Sequence, residues 1–212
     1  MKQLLRYRKN LRFVFFDFET ESLNLSFENN LPWQIAMIKI DSGQEVDSRD
    51  YYLKWDRKIN VSEGAAKVTG FDLEKYKKIA VDQATVFPEI EEWFGWADYI
   101  VGHNILNFDI PLAKEWYKMH NKNWKKLLPK CIDTKCIAQS IKSKIPFDIE
   151  NDDFLSWQIA LSTYHERGVK TNLSQMAKDN NIDFDPKKMH NALFDIKTNA
   201  EVFFKLINQK EV

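Results

Sequence analysis

Asp17 and Glu19 stand two residues apart in RFVFFDFET (12–20), a run that is apolar on both faces and rich in aromatics. Such a run suits a central strand covered on both sides. Residues two apart on a strand point to the same face, so the pair shares a side with Phe13 and Phe15. Two carboxylates brought together there repel each other and lose hydration, which is costly unless a cation compensates. A strand end open to water, with both groups solvated, is the plainer alternative. Asp109 falls on the same helical stripe as Leu112, Ala113, Trp116 and Tyr117. A carboxylate on a core-facing stripe asks for a partner, although a first-turn acid favoured by the helix dipole has the same pattern. His190 and Asp195 occur in MHNALFD. Five residues apart, they lie on different faces of one regular helix, but they converge if Asn191 caps the helix and His190 precedes it; a loop histidine without a role is the alternative. Each residue alone has a plain explanation. Four acids and a histidine in three separated segments together demand several coincidences, and cation binding is the chemistry such a cluster can do.

The elements that must position these residues are legible in outline. Residues 12–20, 33–41 and 45–55 read as strands, with Asp41-Ser42-Gly43 as a turn, so the three form an antiparallel meander. Helical spacing marks 84–97, 107–120, 134–142, 171–181 and 191–208, and Tyr99-Ile100-Val101 and Cys131-Ile132-Asp133 read as short strands. Strands followed by alternating helix and strand predict an α/β fold, a mixed sheet with helices on both faces. Residues 144–168 are the least regular part; Phe154, Trp157, Leu161 and Tyr164 have helical spacing there, and Gly168 is expected to end that helix.

The chain has 212 residues, which suits a single domain, 1–212, with an unmapped helical elaboration at about 144–168. Lysine plus arginine and aspartate plus glutamate are 31 each, so the net charge gives no support to a nucleic-acid partner; local patches matter more. One stretch is locally basic, with Lys118, Lys122, Lys125, Lys126 and Lys130 around Trp124. Cys131 and Cys136 fit no zinc motif and read as reduced thiols of an intracellular, cytoplasmic protein. Asp17 and Glu19 interrupt the apolar N-terminal run, so neither a signal peptide nor a membrane span is expected.

FVFFDFETESLN resembles the first motif of the DEDDh 3′→5′ exonucleases of the DnaQ-like superfamily, which contains bacterial polymerase proofreading subunits. VGHNILNFDIPLA resembles their second motif, with Asp109 in the acidic position, and HNALFDIKTNAEVF their third, with His190 five residues before Asp195. The likeness runs from about residue 12 to 208. Two departures accompany it: Thr69 stands where many proofreading members carry histidine, and 144–168 is longer than the compact family pattern. The resemblance implies a ribonuclease-H-like fold and two-metal hydrolysis of phosphodiesters. Asp17 would bridge both ions, Glu19 and Asp195 would hold the one on the side of the attacking water, and Asp109 would serve the other. All-oxygen ligands imply Mg²⁺ or Mn²⁺ rather than zinc, and His190 would take the proton from the water. Thr20 and Leu23 match the part of the first motif that meets the terminal nucleotide, so substrate binding is expected of them. His103 and Asn104 are read as structural, with Asn104 capping the next helix.

The expected function is therefore a metal-dependent 3′→5′ exonuclease that releases nucleoside monophosphates from a nucleic acid with a free 3′ end, single-stranded DNA being preferred. An RNA-trimming exoribonuclease and a non-catalytic nucleic-acid-end-binding module on the same fold are the alternatives. A polymerase partner is compatible with the resemblance.

Overall fold

The computed structural model describes residues 10–23, 30–185 and 191–208. The meander is present as expected: β1 (Arg12–Thr20), β2 (Pro32–Asp41) and β3 (Gln44–Lys54) pair antiparallel. Ser42 and Gly43 both take positive φ, 52° and 80°, in the turn between β2 and β3, the conformation that a tight hairpin turn requires. Two short helices follow, α1 (Glu63–Thr69) and α2 (Leu73–Ile79), then the edge strand β4 (Val81–Asp82) and α3 (Gln83–Trp96). Next come β5 (Tyr99–Gly102), α4 (Asp109–Met119), a 3₁₀ helix (Trp124–Lys130) and β6 (Cys131–Asp133). The chain continues with α5 (Thr134–Ser143), α6 (Phe154–Thr163), α7 (Leu173–Asp179) and α8 (Ala192–Asn208). The sheet order is β4-β3-β2-β1-β5-β6, with β1, β5 and β6 parallel.

Alternation along β1 divides the core. Val14, Phe16 and Phe18 face α3 and α4, where Phe87, Ile90, Phe94, Leu112 and Trp116 meet them. Phe13 and Phe15 face the other way, onto α5, α7 and α8. Phe203 of α8 packs edge-on against both, with ring centroids 5.4 and 5.6 Å away. That anchor sets the height of Asp195. Eight helical residues rise about 12 Å and four strand residues about 13 Å, so Asp195 stands level with Asp17 and Glu19 once Phe203 is seated on Phe13 and Phe15.

β1 also outruns its parallel neighbour. Pairing with β5 covers only Phe13–Phe15, because β5 ends at Gly102. A Cβ there would lie 2.0 Å from Ile105 Cγ2 and 3.0 Å from the Phe16 carbonyl oxygen, so only glycine lets the chain turn away so close to β1. The backbone of β1 beyond Phe16 is thereby left open to the start of α4.

Two expectations are corrected, and the locally basic stretch turns out to be largely paired. Gly168 does not end the helix of the 144–168 segment: α6 stops at Thr163, and Gly168 sits farther on with φ +89°. Asn104 does not cap α4: it adopts a left-handed turn at φ 65°, and α4 begins after Phe108 without a side-chain cap. The lysine-rich stretch is not a free basic patch. Lys122 and Lys126 both pair with Glu91, Lys118 pairs with Glu115, and the Lys130 ammonium donates to the carbonyls of Phe94, Gly95 and Ala97.

Trp157 is buried, in a small core with Cys136 and Leu161, and its ring lies against those of Phe147 and Phe154, centroids 5.4 and 5.7 Å away. Packing of this kind predicts that Trp157→Ala lowers stability by roughly 3–5 kcal/mol and leaves the KM for the expected nucleic-acid substrate unchanged. A raised KM with an unchanged melting temperature would instead make Trp157 a substrate contact.

Candidate active site

Glu19, on β1, is buried, and Asp17 is half-buried on the same face. Asp195 belongs to the first turn of α8. Asn191 caps that helix as expected: its side-chain oxygen accepts from the Phe194 N–H at 3.0 Å, and its carbonyl from the Asp195 N–H at 2.8 Å. Asp17 and Asp195 line one narrow recess together with His103 and Asn199. His190 lies outside the described residues.

Asp109 is buried at the start of α4, and the expected stripe of Leu112, Ala113, Trp116 and Tyr117 is buried below it. Its Oδ1 accepts the Phe18 N–H at 3.0 Å. This is the backbone donor that β5 leaves free by turning away. One hydrogen bond thus places the α4 carboxylate beside the strand segment between Asp17 and Glu19.

The electrostatics follow from this convergence. Burial, then the charges of Asp109, Glu19 and Asp195, raise Asp17 well above the usual carboxylate range. Burial, then Asp195 and Asp109, push Glu19 up to about 8. Asp109 rises to about 7, chiefly by burial, against the pull of the Phe18 N–H. Among the described residues, no lysine or arginine forms an ion pair with Asp17, Glu19 or Asp109. Nor, among them, do three metal-ligating side chains close into a cage around one point. The donor set is all carboxylate. All-oxygen donors fit hard divalent cations such as Mg²⁺ or Mn²⁺, not a closed four-ligand zinc site of thiolates and imidazoles.

Beside Glu19 opens a cleft of about 500 Å³. Thr20 and Leu23 form one wall, Ser62, Ala65 and Thr69 of the α1 region another, and Phe108 adjoins them. The Leu23 side chain is 90% exposed at the mouth. The Thr20 hydroxyl is spent locally, donating to the Ser22 carbonyl at 2.6 Å. Sequence reasoning missed what joins the two walls. Glu21 is buried and accepts from Arg57 at 2.5 and 2.8 Å, from the Leu31 N–H at 2.8 Å and from the Asn60 N–H. Burial alone would push Glu21 up, but Arg57 and these N–H groups outweigh it and hold the carboxyl below the usual glutamate range. The α1 wall did carry a local signal. Ser62 accepts from the Ala65 N–H and Gly70 closes the helix at φ 70°, an N-cap serine and a terminal glycine that the sequence displays openly.

His103 adjoins the carboxylates without being able to serve them as a base. Its Nδ1 is 3.0 Å from the Thr134 hydroxyl, which also bonds Asn199 Oδ1 at 2.7 Å. Burial, helped by Lys135, lowers its pKa to about 4. The structural role expected of it is the one its bonds describe: a buried polar chain registers α8, one turn below Asp195, against β5 and β6.

The family model of the RNase_T exonucleases matches residues 14–203. The chain belongs to this exonuclease family. It is 27% identical over 194 residues to a PolC-type DNA polymerase III of Mycoplasma genitalium and 24% identical over 196 residues to that of Mycoplasma pneumoniae. Those matches cover 91% and 92% of this chain but 11% of each polymerase. Among solved structures, exonuclease I matches with a TM-score of 0.73 at 18% identity, over 95% of this chain and 42% of that one. A zinc-bound complex of Escherichia coli exonuclease I with single-stranded DNA matches at 0.74, again at 18% identity, over 95% and 41%. The chain thus spans about a tenth of the polymerases and two fifths of exonuclease I, and it has the ribonuclease-H-like fold of this exonuclease family. Among the described residues no helix is long and apolar enough to cross a membrane.

Proposed function

We propose that this RNase_T family member is a 3′→5′ exonuclease that shortens single-stranded DNA to nucleoside monophosphates. The observation that carries the reading is the meeting of Asp17, Glu19, Asp109 and Asp195 at the side of an apolar cleft with room for a nucleotide. Two divalent cations, Mg²⁺ or Mn²⁺, would supply Lewis-acid stabilisation of the entering and leaving oxygens of an in-line displacement. Asp17 would hold both, Glu19 and Asp195 one with it, and Asp109 the other. His190 would accept the proton of the attacking water. Thr20 and Leu23 would bound the terminal nucleotide, with Phe108 and α1 opposite them. DNA is favoured by the polymerase relatives and by the single-stranded DNA complexes of exonuclease I. A polymerase is the partner class those same relatives suggest.

Polarity tests the reading most directly. A linear strand with a free 3′-hydroxyl should be degraded to mononucleotides in Mn²⁺ or Mg²⁺, and a circular single strand should survive. Cutting of circles at a comparable rate would make the protein an endonuclease. Degradation of an RNA oligomer in preference to its DNA counterpart would move it to RNA trimming, and no metal-dependent degradation at all would leave an end-binding module.

A further inference from the structure

The 144–168 segment, which the family pattern leaves unmapped, touches the candidate site through a relay of hydrogen bonds. β6 is the last strand of the sheet, so among the described residues its outer edge has no strand partner. Gln158 of α6, fully buried, takes that place. Its Oε1 accepts from the Asp133 N–H at 2.7 Å, and its Nε2 donates to the Cys131 carbonyl at 3.0 Å. These are the two groups flanking Ile132 that one residue of a further parallel strand would engage. With β6 held in this way, the Asp133 carboxylate accepts the N–H groups of Asn104 at 2.9 Å and Leu106 at 3.2 Å. Both lie in the irregular connection from β5 to α4, where Asn104 is left-handed and its carbonyl accepts the Asn107 and Phe108 N–H groups, each at 3.2 Å.

A second grip is closer still. Asn107 Nδ2 donates to the Ser162 carbonyl at 3.1 Å, and the Ser162 hydroxyl is 3.2 Å from Asn107 Oδ1. Asn107 stands two residues before Asp109. The connection that delivers Asp109 to the Phe18 N–H is therefore tied to α6 at two points, once through Gln158 and Asp133 and once directly.

We propose that α6 is a positioning element for the metal site: Gln158 and the Asn107–Ser162 pair fix the connection that aims Asp109. The proposal rests on the metal-dependent exonuclease reading. Groups that orient metal ligands from behind typically change metal affinity or activity by roughly 10–100-fold when removed. Loss of these bonds should therefore weaken metal binding and leave capture of DNA alone.

The test is calorimetric titration of Mn²⁺ into the metal-stripped full chain, with kcat and KM measured at low and saturating Mn²⁺. Gln158→Met keeps bulk but removes both strand-like bonds. Asn107→Ala removes the direct grip from a partly exposed loop, and so keeps the test open if the buried variant does not fold. A core variant at the far end of α8 from Asp195, Leu206→Ala, controls for plain loss of stability. Expected are Mn²⁺ affinities about 10-fold or more weaker in Gln158→Met and Asn107→Ala, a kcat that recovers in part at saturating Mn²⁺, and an unchanged KM for single-stranded DNA. Ser162→Thr, which keeps the hydroxyl, and Leu206→Ala should bind Mn²⁺ like wild type. Wild-type affinity in both Asn107→Ala and Gln158→Met, whatever their melting temperatures, would overturn the positioning role. A wild-type protein that neither binds Mn²⁺ nor degrades DNA would overturn the exonuclease reading itself.

Discussion

His190→Ala should lower turnover by roughly 10²–10⁴-fold, the usual cost of losing a general base, while Mn²⁺ binding and melting temperature stay close to wild type. The wild-type rate should rise with pH along a limb set by an imidazole, whose ordinary pKa is about 6.5, and the variant should lose that limb. Two features of the structure make the assignment discriminating. The cap formed by Asn191 fixes the start of α8, whose first turn carries Asp195 to the recess beside Asp17. The histidine that lines the recess among the described residues, His103, has a pKa lowered to about 4 and hydrogen-bonds the Thr134 hydroxyl, so it contributes no limb near pH 6.5. Near-normal turnover with an unchanged profile in His190→Ala would remove the residue from the mechanism.

The parts of the fold written in local pattern were readable before the structure. β1 is apolar on both faces because both are covered, and the stripe of α4 announced that Asp109 enters the core side of the molecule. The capped start of α8 was equally plain in Asn191. Short elements were harder. α2 has a single buried residue, Tyr76, and β4 only two residues, both exposed, so neither carries a periodic signal. Long-range polar pairing left no mark at all. Nothing in the sequence near Glu21 points to Arg57, 36 positions away, and nothing near Asp133 points to Gln158. A buried glutamine reads as polar surface until the unpaired strand edge it serves is known. In the segment 144–168 the helix was legible from the spacing of Phe154, Trp157 and Leu161, which form its small core, but the bonds made by Gln158 and Ser162 were not.

Asp17→Asn should melt at a higher temperature than wild type in EDTA and have no detectable nuclease activity. The reasoning is electrostatic. With no cation, burial and mutual repulsion raise Glu19 to about 8, Asp109 to about 7 and Asp17 well above its ordinary value. A carboxyl whose folded pKa exceeds its unfolded one, about 4, binds its proton more tightly when folded. It favours folding fully below pH 4, and that contribution is lost as pH rises through the folded value. The metal-free wild type should therefore lose stability between about pH 4 and pH 8, and near neutrality the bare site works against folding. The amide in Asp17→Asn carries no charge, so the substitution removes the desolvation cost of the Asp17 carboxylate and the repulsion it exerts on Glu19, Asp109 and Asp195. Relief of ~1 kcal/mol raises the melting temperature by roughly 2–4 °C in a chain of this size, and the gain should shrink as pH falls toward 4. Divalent ions reverse the order. A ligand at 100 times its dissociation constant stabilises the native state by about 2.7 kcal/mol, so Mn²⁺ should raise the wild-type melting temperature strongly and that of Asp17→Asn much less, because the carboxylate proposed to hold both ions is gone. Melting curves on both proteins, in EDTA across this pH range and with a Mn²⁺ titration near neutrality, decide the matter. No gain in EDTA, together with equal metal shifts, would mean that the four carboxylates do not share a cation site.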